Sequence, residues 1–126
     1  MEIRTDLSYT KSHEWVLLDG ETATIGITDY AQNELGDIVF INLPEEGEQV
    51  EADTVFADVE SVKAVSDIYS PVTGTVGEVN EELMDSPERI NESAYDAWFI
   101  RVDDVTDHTE FMSAEEYEAY IESEQE

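Results

Sequence analysis

The chain has 126 residues, 40% of them hydrophobic, and sets 33 Asp and Glu against 5 Lys and Arg for a formal charge of -28. Such acidity excludes nucleic acid and anionic membrane surfaces as partners, because both demand a basic footprint. The absence of Cys excludes disulfides, zinc thiolate sites and thiol nucleophiles. No apolar run approaches the roughly 20 residues that cross a bilayer, and the first residues lack the layout of a signal peptide, so a cytoplasmic protein is expected. The length suits one domain, 1–126. The hydrophobic content and patterned aromatics speak against disorder. The charge points instead to a halophile, since at about 1 M salt the Debye length falls to roughly 3 Å and self-repulsion is screened.

In chain order, Glu14–Leu18 and Ala23–Ile27 read as two strands around Asp19-Gly20, a strong hairpin signal. Thr28 is placed to cap a short helix that Gly36 stops. Asp37 to Leu43 reads as a strand ended by Pro44. Val55, Ala57 and Val59 alternate with Phe56 and Asp58 at the period of a strand with one packed face. An apolar stretch resumes at Ile68-Tyr69. Ser70 to Gly74 reads as a turn, Thr75–Val79 as a strand, Asn80 to Asn91 as a loop containing Pro87, and Ala97–Val102 as a last strand. Ser113 and Glu116 form a capping box, flanked by Met112 and Tyr117 as a hydrophobic staple. With Tyr117, Tyr120 and Ile121 on one face, they predict a helix over about 113–123. Glu122, Glu124 and Glu126 oppose that helix's dipole at a small cost. The sum is a mostly β chain of short strands with a short internal helix and a C-terminal one.

Lys63 is one of only two lysines. It falls midway between two strand-like segments, on a hairpin of about residues 55–70 that would present it to solvent. A lone lysine in a turn is usually just a solvated charge. Here a chain that has shed nearly all its lysines keeps one at a hairpin tip, with the small Ala64 beside it. A long amine stem on a rigid turn is what an enzyme needs to join a carboxylic cofactor by an amide bond.

The run Glu60-Ser61-Val62-Lys63-Ala64, followed by Ser70-Pro71-x-x-Gly74-x-Val76, resembles the attachment hairpin of biotinyl and lipoyl domains. Biotin carriers typically place Met on both sides of the lysine; Val62 and Ala64 stand there, which favours lipoyl. Three further segments, Tyr9–Trp15, Gly26–Gln32 and Leu35–Val39, resemble the glycine cleavage H-proteins, and the likeness extends over residues 8–121. The chain departs from that family at Ala94 and Ala97, where Pro and Gly are common. The resemblance implies a flattened barrel-sandwich hybrid of short antiparallel strands. It also implies (R)-lipoate on Lys63 and a non-catalytic shuttle that carries an aminomethyl group. Its partners would be a pyridoxal-phosphate glycine decarboxylase, a folate-dependent aminomethyltransferase, a dihydrolipoamide dehydrogenase, and the lipoate ligase or lipoyltransferase that loads it. By motif match Ser12, Glu14 and Asp67 are the cleft positions that shelter the loaded arm. Glu14 would pair with the protonated amine, a charge-assisted bond about twice as strong as a neutral one.

Other readings are a lipoate-relay protein, a biotin carrier, or an acidic interaction domain that has lost its cargo. His13 and His108 lack metal-ligand spacing, and His13 is expected to pack beside Trp15. Asp103, Asp104 and Asp107 lack the glycine and spacing of a calcium loop. Asn91-Glu92-Ser93 matches a glycosylation sequon without meaning in a cytoplasmic protein.

Overall fold

A computed structural model describes residues 2–124. Glu126, expected to oppose the terminal helix dipole, lies outside them. Among the described residues nine strands form two antiparallel sheets. β1 (Ser8–Tyr9), β2 (Glu14–Asp19), β3 (Thr22–Ile27), β9 (Ile100–His108), β8 (Val72–Val79) and β5 (Gln49–Val50) lie side by side in that order. The second sheet sets β6 (Val55–Ser61) between β4 (Ile38–Asn42) and β7 (Val65–Tyr69). The expected barrel-sandwich is present. No helix among the described residues is long and apolar enough to cross a membrane.

The alternation of β6 buries Ala57 and Val59. They join Ile25, Ile41, Ile68, Val76 and Val102 in the core between the sheets. Fully burying each of the Val and Ile side chains is worth about 1.5–3 kcal/mol. A second cluster is aromatic: Tyr9, Trp15, Tyr30, Tyr95 and Tyr117 gather where α4 (Ala114–Glu124) packs on β1. Tyr9 and Tyr117 stack with centroids 4.6 Å apart. Gly26 faces Trp15 across the β2–β3 ladder. A Cβ at Gly26 would sit 2.6 Å from the indole ring, so only glycine lets the ring lie flat there.

Most elements stand where the sequence places them. The β2–β3 loop is Gly20-Glu21, one residue later than Asp19-Gly20, with Gly20 at φ +64°. Thr28 caps α1 (Asp29–Leu35), its hydroxyl accepting from the N–H of Ala31 at 3.1 Å. The capping box of α4 forms both its bonds, Ser113 N–H to Glu116 Oε1 at 2.9 Å and Glu116 N–H to Ser113 Oγ at 3.2 Å.

Three expectations need correction. The Asn80–Asn91 segment is not a plain loop but holds two one-turn helices, α2 (Glu82–Asp85) and α3 (Arg89–Glu92), separated by Pro87. The turn after Tyr69 is confined to Ser70-Pro71, because Val72–Gly74 already belong to β8. The last strand starts at Ile100 rather than Ala97 and runs on through an acidic stretch to His108. Its ladder with β3 begins only where Ile25 meets Ile100.

Candidate functional site

β6 and β7 form a hairpin whose tip is Val62-Lys63-Ala64. Ser61 closes it: its N–H donates to Ala64 O at 2.8 Å, and its hydroxyl accepts from Ala64 N–H at 3.0 Å and Lys63 N–H at 3.3 Å. Glu60 stands one step below, paired with Val65 on one side and Phe40 on the other. Val62 and Val65 are 69% and 68% exposed. The tip is held from beneath as well, since Val62 N–H donates to Asp37 O at 3.0 Å.

The lysine stem passes over Gly36, the C-cap of α1, at φ +81°. A Cβ on Gly36 would lie 3.3 Å from Lys63 Cε. Asn91 of α3 fixes this platform. Its amide nitrogen donates to Gly36 O and to Gln32 Oε1, both at 2.9 Å, and its oxygen accepts from Ile38 N–H at 2.8 Å. Asn91, whose sequon match carried no meaning, has a structural place: its side chain ties α1 to β4 directly below the β6–β7 hairpin. Among the described residues, no carboxylate forms an ion pair with Lys63.

Six residues along the chain, Tyr69 ends β7 at the wall of a cleft of about 440 Å³. Thr10, Lys11, Ser12 and Glu14 line it from the β1–β2 connection, with Asp53 opposite. Glu14 is 1% exposed. Its Oε1 accepts from the hydroxyls of Ser12 at 2.6 Å and Thr10 at 2.7 Å. Its Oε2 is buried without a hydrogen bond. Burial raises the Glu14 carboxyl above the usual range. The Ser12 and Thr10 hydroxyls pull it back, the Tyr69 backbone adds a smaller pull, and nearby Asp53 pushes it up further.

Of the three cleft residues inferred from the sequence, Ser12 and Glu14 therefore meet in one hydrogen-bonded unit. Asp67 does not line the cleft. It is exposed on β7, opposite Asp58, one strand period before Tyr69 on the same face. Thr10, Asp53 and Tyr69 went unmarked in the sequence, and only Thr10, inside the Tyr9–Trp15 segment, carried any signal.

His13 is not beside Trp15. Its φ of +70° turns it off the β2 line and against Tyr30, Tyr117 and Tyr120. Its Nδ1 lies 2.9 Å from the Tyr117 hydroxyl, which also meets Thr28 Oγ1 at 2.7 Å, and its Nε2 lies 3.0 Å from Glu124. Burial lowers the His13 pKa against the opposing pull of Glu124.

A lysine raised on a braced hairpin, with a sheltered carboxylate at the far end of the same strand, is the build of a swinging-arm carrier. Comparison with known proteins makes the class specific. Residues 7–124 match the family model described as glycine cleavage H-protein. The chain is 55% identical to the glycine cleavage system H protein of Lachnoclostridium phytofermentans over the full length of both. It is 55% identical to that of Bacillus subtilis, over 94% of this chain and 95% of the other. A crystal structure of a glycine cleavage system H protein from Mycobacterium marinum superposes with a TM-score of 0.87 at 37% identity, covering 98% of this chain and all of that one. The chain belongs to the glycine cleavage H-protein family. An H-protein is the lipoyl carrier of the glycine cleavage system, a shuttle for the aminomethyl group and not itself a catalyst.

Proposed function

We propose that Lys63 is the residue that carries (R)-lipoate, and that the loaded arm lodges in the cleft walled by Ser12 and Glu14. The reading rests above all on Glu14: a buried carboxylate with one unsatisfied oxygen sits beyond one end of β7, while the other end presents an exposed lysine. A buried charge without a partner is costly, and a cation brought to Oε2 removes that cost. Val65, Asp67 and Tyr69 share the outer face of β7 and line the way from the tip to the cleft.

Bound lipoate supplies the disulfide that accepts the aminomethyl group; the chain supplies everything that positions and shelters it. The hairpin holds the Lys63 amine out for acylation, and Ala64 leaves the approach open. Within the cleft Glu14 accepts a hydrogen bond from the protonated amine. Ser12, whose proton is spent on Oε1, offers its lone pairs to the same group. Asp67 adds negative charge along the path. The walls limit the water that would release ammonia from the cargo.

In this reading the whole chain is one carrier module of the cytoplasm. Its partners are the pyridoxal-phosphate glycine decarboxylase, the folate-dependent aminomethyltransferase, dihydrolipoamide dehydrogenase, and the lipoate ligase or lipoyltransferase that loads it. Each meets a surface of charge -28 with matching basic patches. Few of those acids are paired: among the described residues, three arginine–carboxylate pairs and the His13–Glu124 pair satisfy the salt-bridge distance. That surface suits a halophile's cytoplasm, and the thermal midpoint is expected to climb as salt is raised from dilute buffer towards about 1 M. An undiminished midpoint in dilute buffer argues against halophily.

Intact mass and peptide mapping of the protein from cells with active lipoate ligase test the attachment. One lipoyl group is expected on Lys63, none on Lys11, and none at all in Lys63→Arg. An unmodified Lys63, or modification surviving in Lys63→Arg, overturns the assignment.

A further inference from the structure

The two hydroxyls on Glu14 are not equivalent. Ser12 is exposed and bonds the carboxylate from the solvent side. Thr10 is 5% exposed and bound to Glu14 three times over. Its N–H donates to Glu14 O at 3.0 Å, Glu14 N–H donates to Thr10 Oγ1 at 3.0 Å, and the Thr10 hydroxyl donates to Glu14 Oε1 at 2.7 Å. A hydroxyl has one proton and two lone pairs. An ionised carboxylate oxygen only accepts, so in the 2.7 Å contact the Thr10 hydroxyl hydrogen points at Oε1 while a lone pair of Thr10 Oγ1 takes the Glu14 amide; the contact of Thr10 Oγ1 with Ser12 Oγ, at 3.4 Å, is the longer one.

The same loop fixes the backbone around this pair. His13 N–H donates to Thr10 O at 3.1 Å while His13 itself stands at φ +70°. The carboxylate is thus anchored from behind through Oε1; Oε2 has no hydrogen-bond partner, and the Tyr69 backbone exerts only a weaker pull on the carboxyl than the two hydroxyls.

We infer that Thr10 is a positioning residue for the carrier's cleft, its hydroxyl locking Glu14 with Oε1 spent and Oε2 kept for the cationic end of the arm. The inference rests on the proposed role of Glu14 and adds what orients it. A half-turn of the carboxylate only exchanges two equivalent oxygens; tilting it away from the hydroxyls sets the incoming ammonium in competition with them for one oxygen. Ser12, on the open side, can shift to admit the cargo; Thr10 cannot without breaking the backbone link as well. Lys11, Asp53 and Glu110 also face the cleft, but none of them hydrogen-bonds the Glu14 carboxylate.

The test uses the full chain in two forms. In the unlipoylated protein, the Glu14 carboxyl is titrated by side-chain carbon NMR in wild type, Thr10→Val and Thr10→Ser. A hydrogen bond to the charged form holds a carboxyl pKa down, and its loss is expected to raise the midpoint by about one to two pH units. Thr10→Ser keeps the hydroxyl and restores the wild-type titration. If Thr10→Val does not fold, Thr10→Ala takes its place. In the lipoylated protein carrying the aminomethyl group, the valine variant is expected to release ammonia about tenfold faster, and the serine variant at the wild-type rate.

An unmoved Glu14 midpoint in Thr10→Val, or a Thr10→Ser variant that behaves like valine, overturns the inference. The anchor role of Glu14 fails separately: Glu14→Gln then leaves ammonia release unchanged, even where Thr10→Val moves the titration and so upholds the clamp.

Discussion

The lysine tip and the Glu14 cleft lie at opposite ends of β7 and are built on opposite terms. At the tip the lysine is exposed. Its neighbours Val62 and Val65 are 69% and 68% exposed, and its order comes from backbone bonds beneath it. At the cleft the functional group is inside, 1% exposed, and its order comes from side-chain hydroxyls. Acylation by an enzyme needs access, whereas keeping a labile group needs exclusion of water. One rigid strand lets both exist without compromise. The tip adds no buried charge to the fold; the cleft stores one.

That difference is open to attack from both ends. The largest expected effect falls on the cleft. Glu14→Gln removes the charge proposed to pair with the amine and is expected to shorten the life of the loaded arm about tenfold, read as ammonia release. The same variant has a signature in stability. Because the folded pKa of Glu14 is raised, the folded state binds more protons than the unfolded one above the unfolded value near 4.5. Stability from this group is therefore present below about pH 4.5 and lost as pH rises through the folded pKa. Glu14→Gln should erase that loss, and the gain over wild type in denaturant unfolding should grow as pH is raised from 4.5 towards 7. A variant that is less stable at pH 7 by the same margin as at pH 4.5 breaks the contrast.

Next comes the platform under the tip. Asn91→Ala deletes three hydrogen bonds and leaves the N–H of buried Ile38 without its partner. The expected cost is about 2 kcal/mol, seen as a shift in the urea midpoint, with slower acylation of Lys63 by lipoate ligase. The smallest effect belongs to the tip itself. Val62→Ser should leave stability within about 0.5 kcal/mol of wild type, because the side chain it removes touches little but solvent.

The tip was legible in the sequence because everything that makes it is local. The strand period through Val55–Val59, the small Ala64 and the Ser70-Pro71 turn all lie within a dozen residues of Lys63. Thr28, Gly36 and the Ser113–Glu116 box were legible for the same reason, since a cap satisfies backbone groups within one turn. The cleft was only half legible. Ser12 and Glu14 alternate on one segment, but Asp53 and Tyr69 arrive from other elements through the β5–β6 connection and the end of β7. Nothing in their neighbours announces it.

The misreadings share that cause. Ala97-Trp98-Phe99 looks like a strand because it is apolar, yet Ala97 and Phe99 fill the core from a loop while Trp98 stays half-buried against the aromatic cluster. The real strand continues through Asp103, Asp104 and Asp107, where acidity hides the pattern. The one-turn helices at Glu82–Asp85 and Arg89–Glu92 are too short to show a period, and they exist because Leu83 and Ile90 plug the core. His13 was drawn towards Trp15 by proximity in sequence, and one left-handed backbone step sends it to Tyr117 instead.

The position of β7 at the edge of the three-stranded sheet has a further bearing on how the carrier behaves in a crowded cell. A strand with one free flank is a template onto which a like strand can zip. Two copies aligning antiparallel about the centre of Val65–Tyr69 would bring Asp67 of one against Asp67 of the other. The central carboxylate thus guards the flank: self-assembly into a continuous sheet meets like charge at its midpoint.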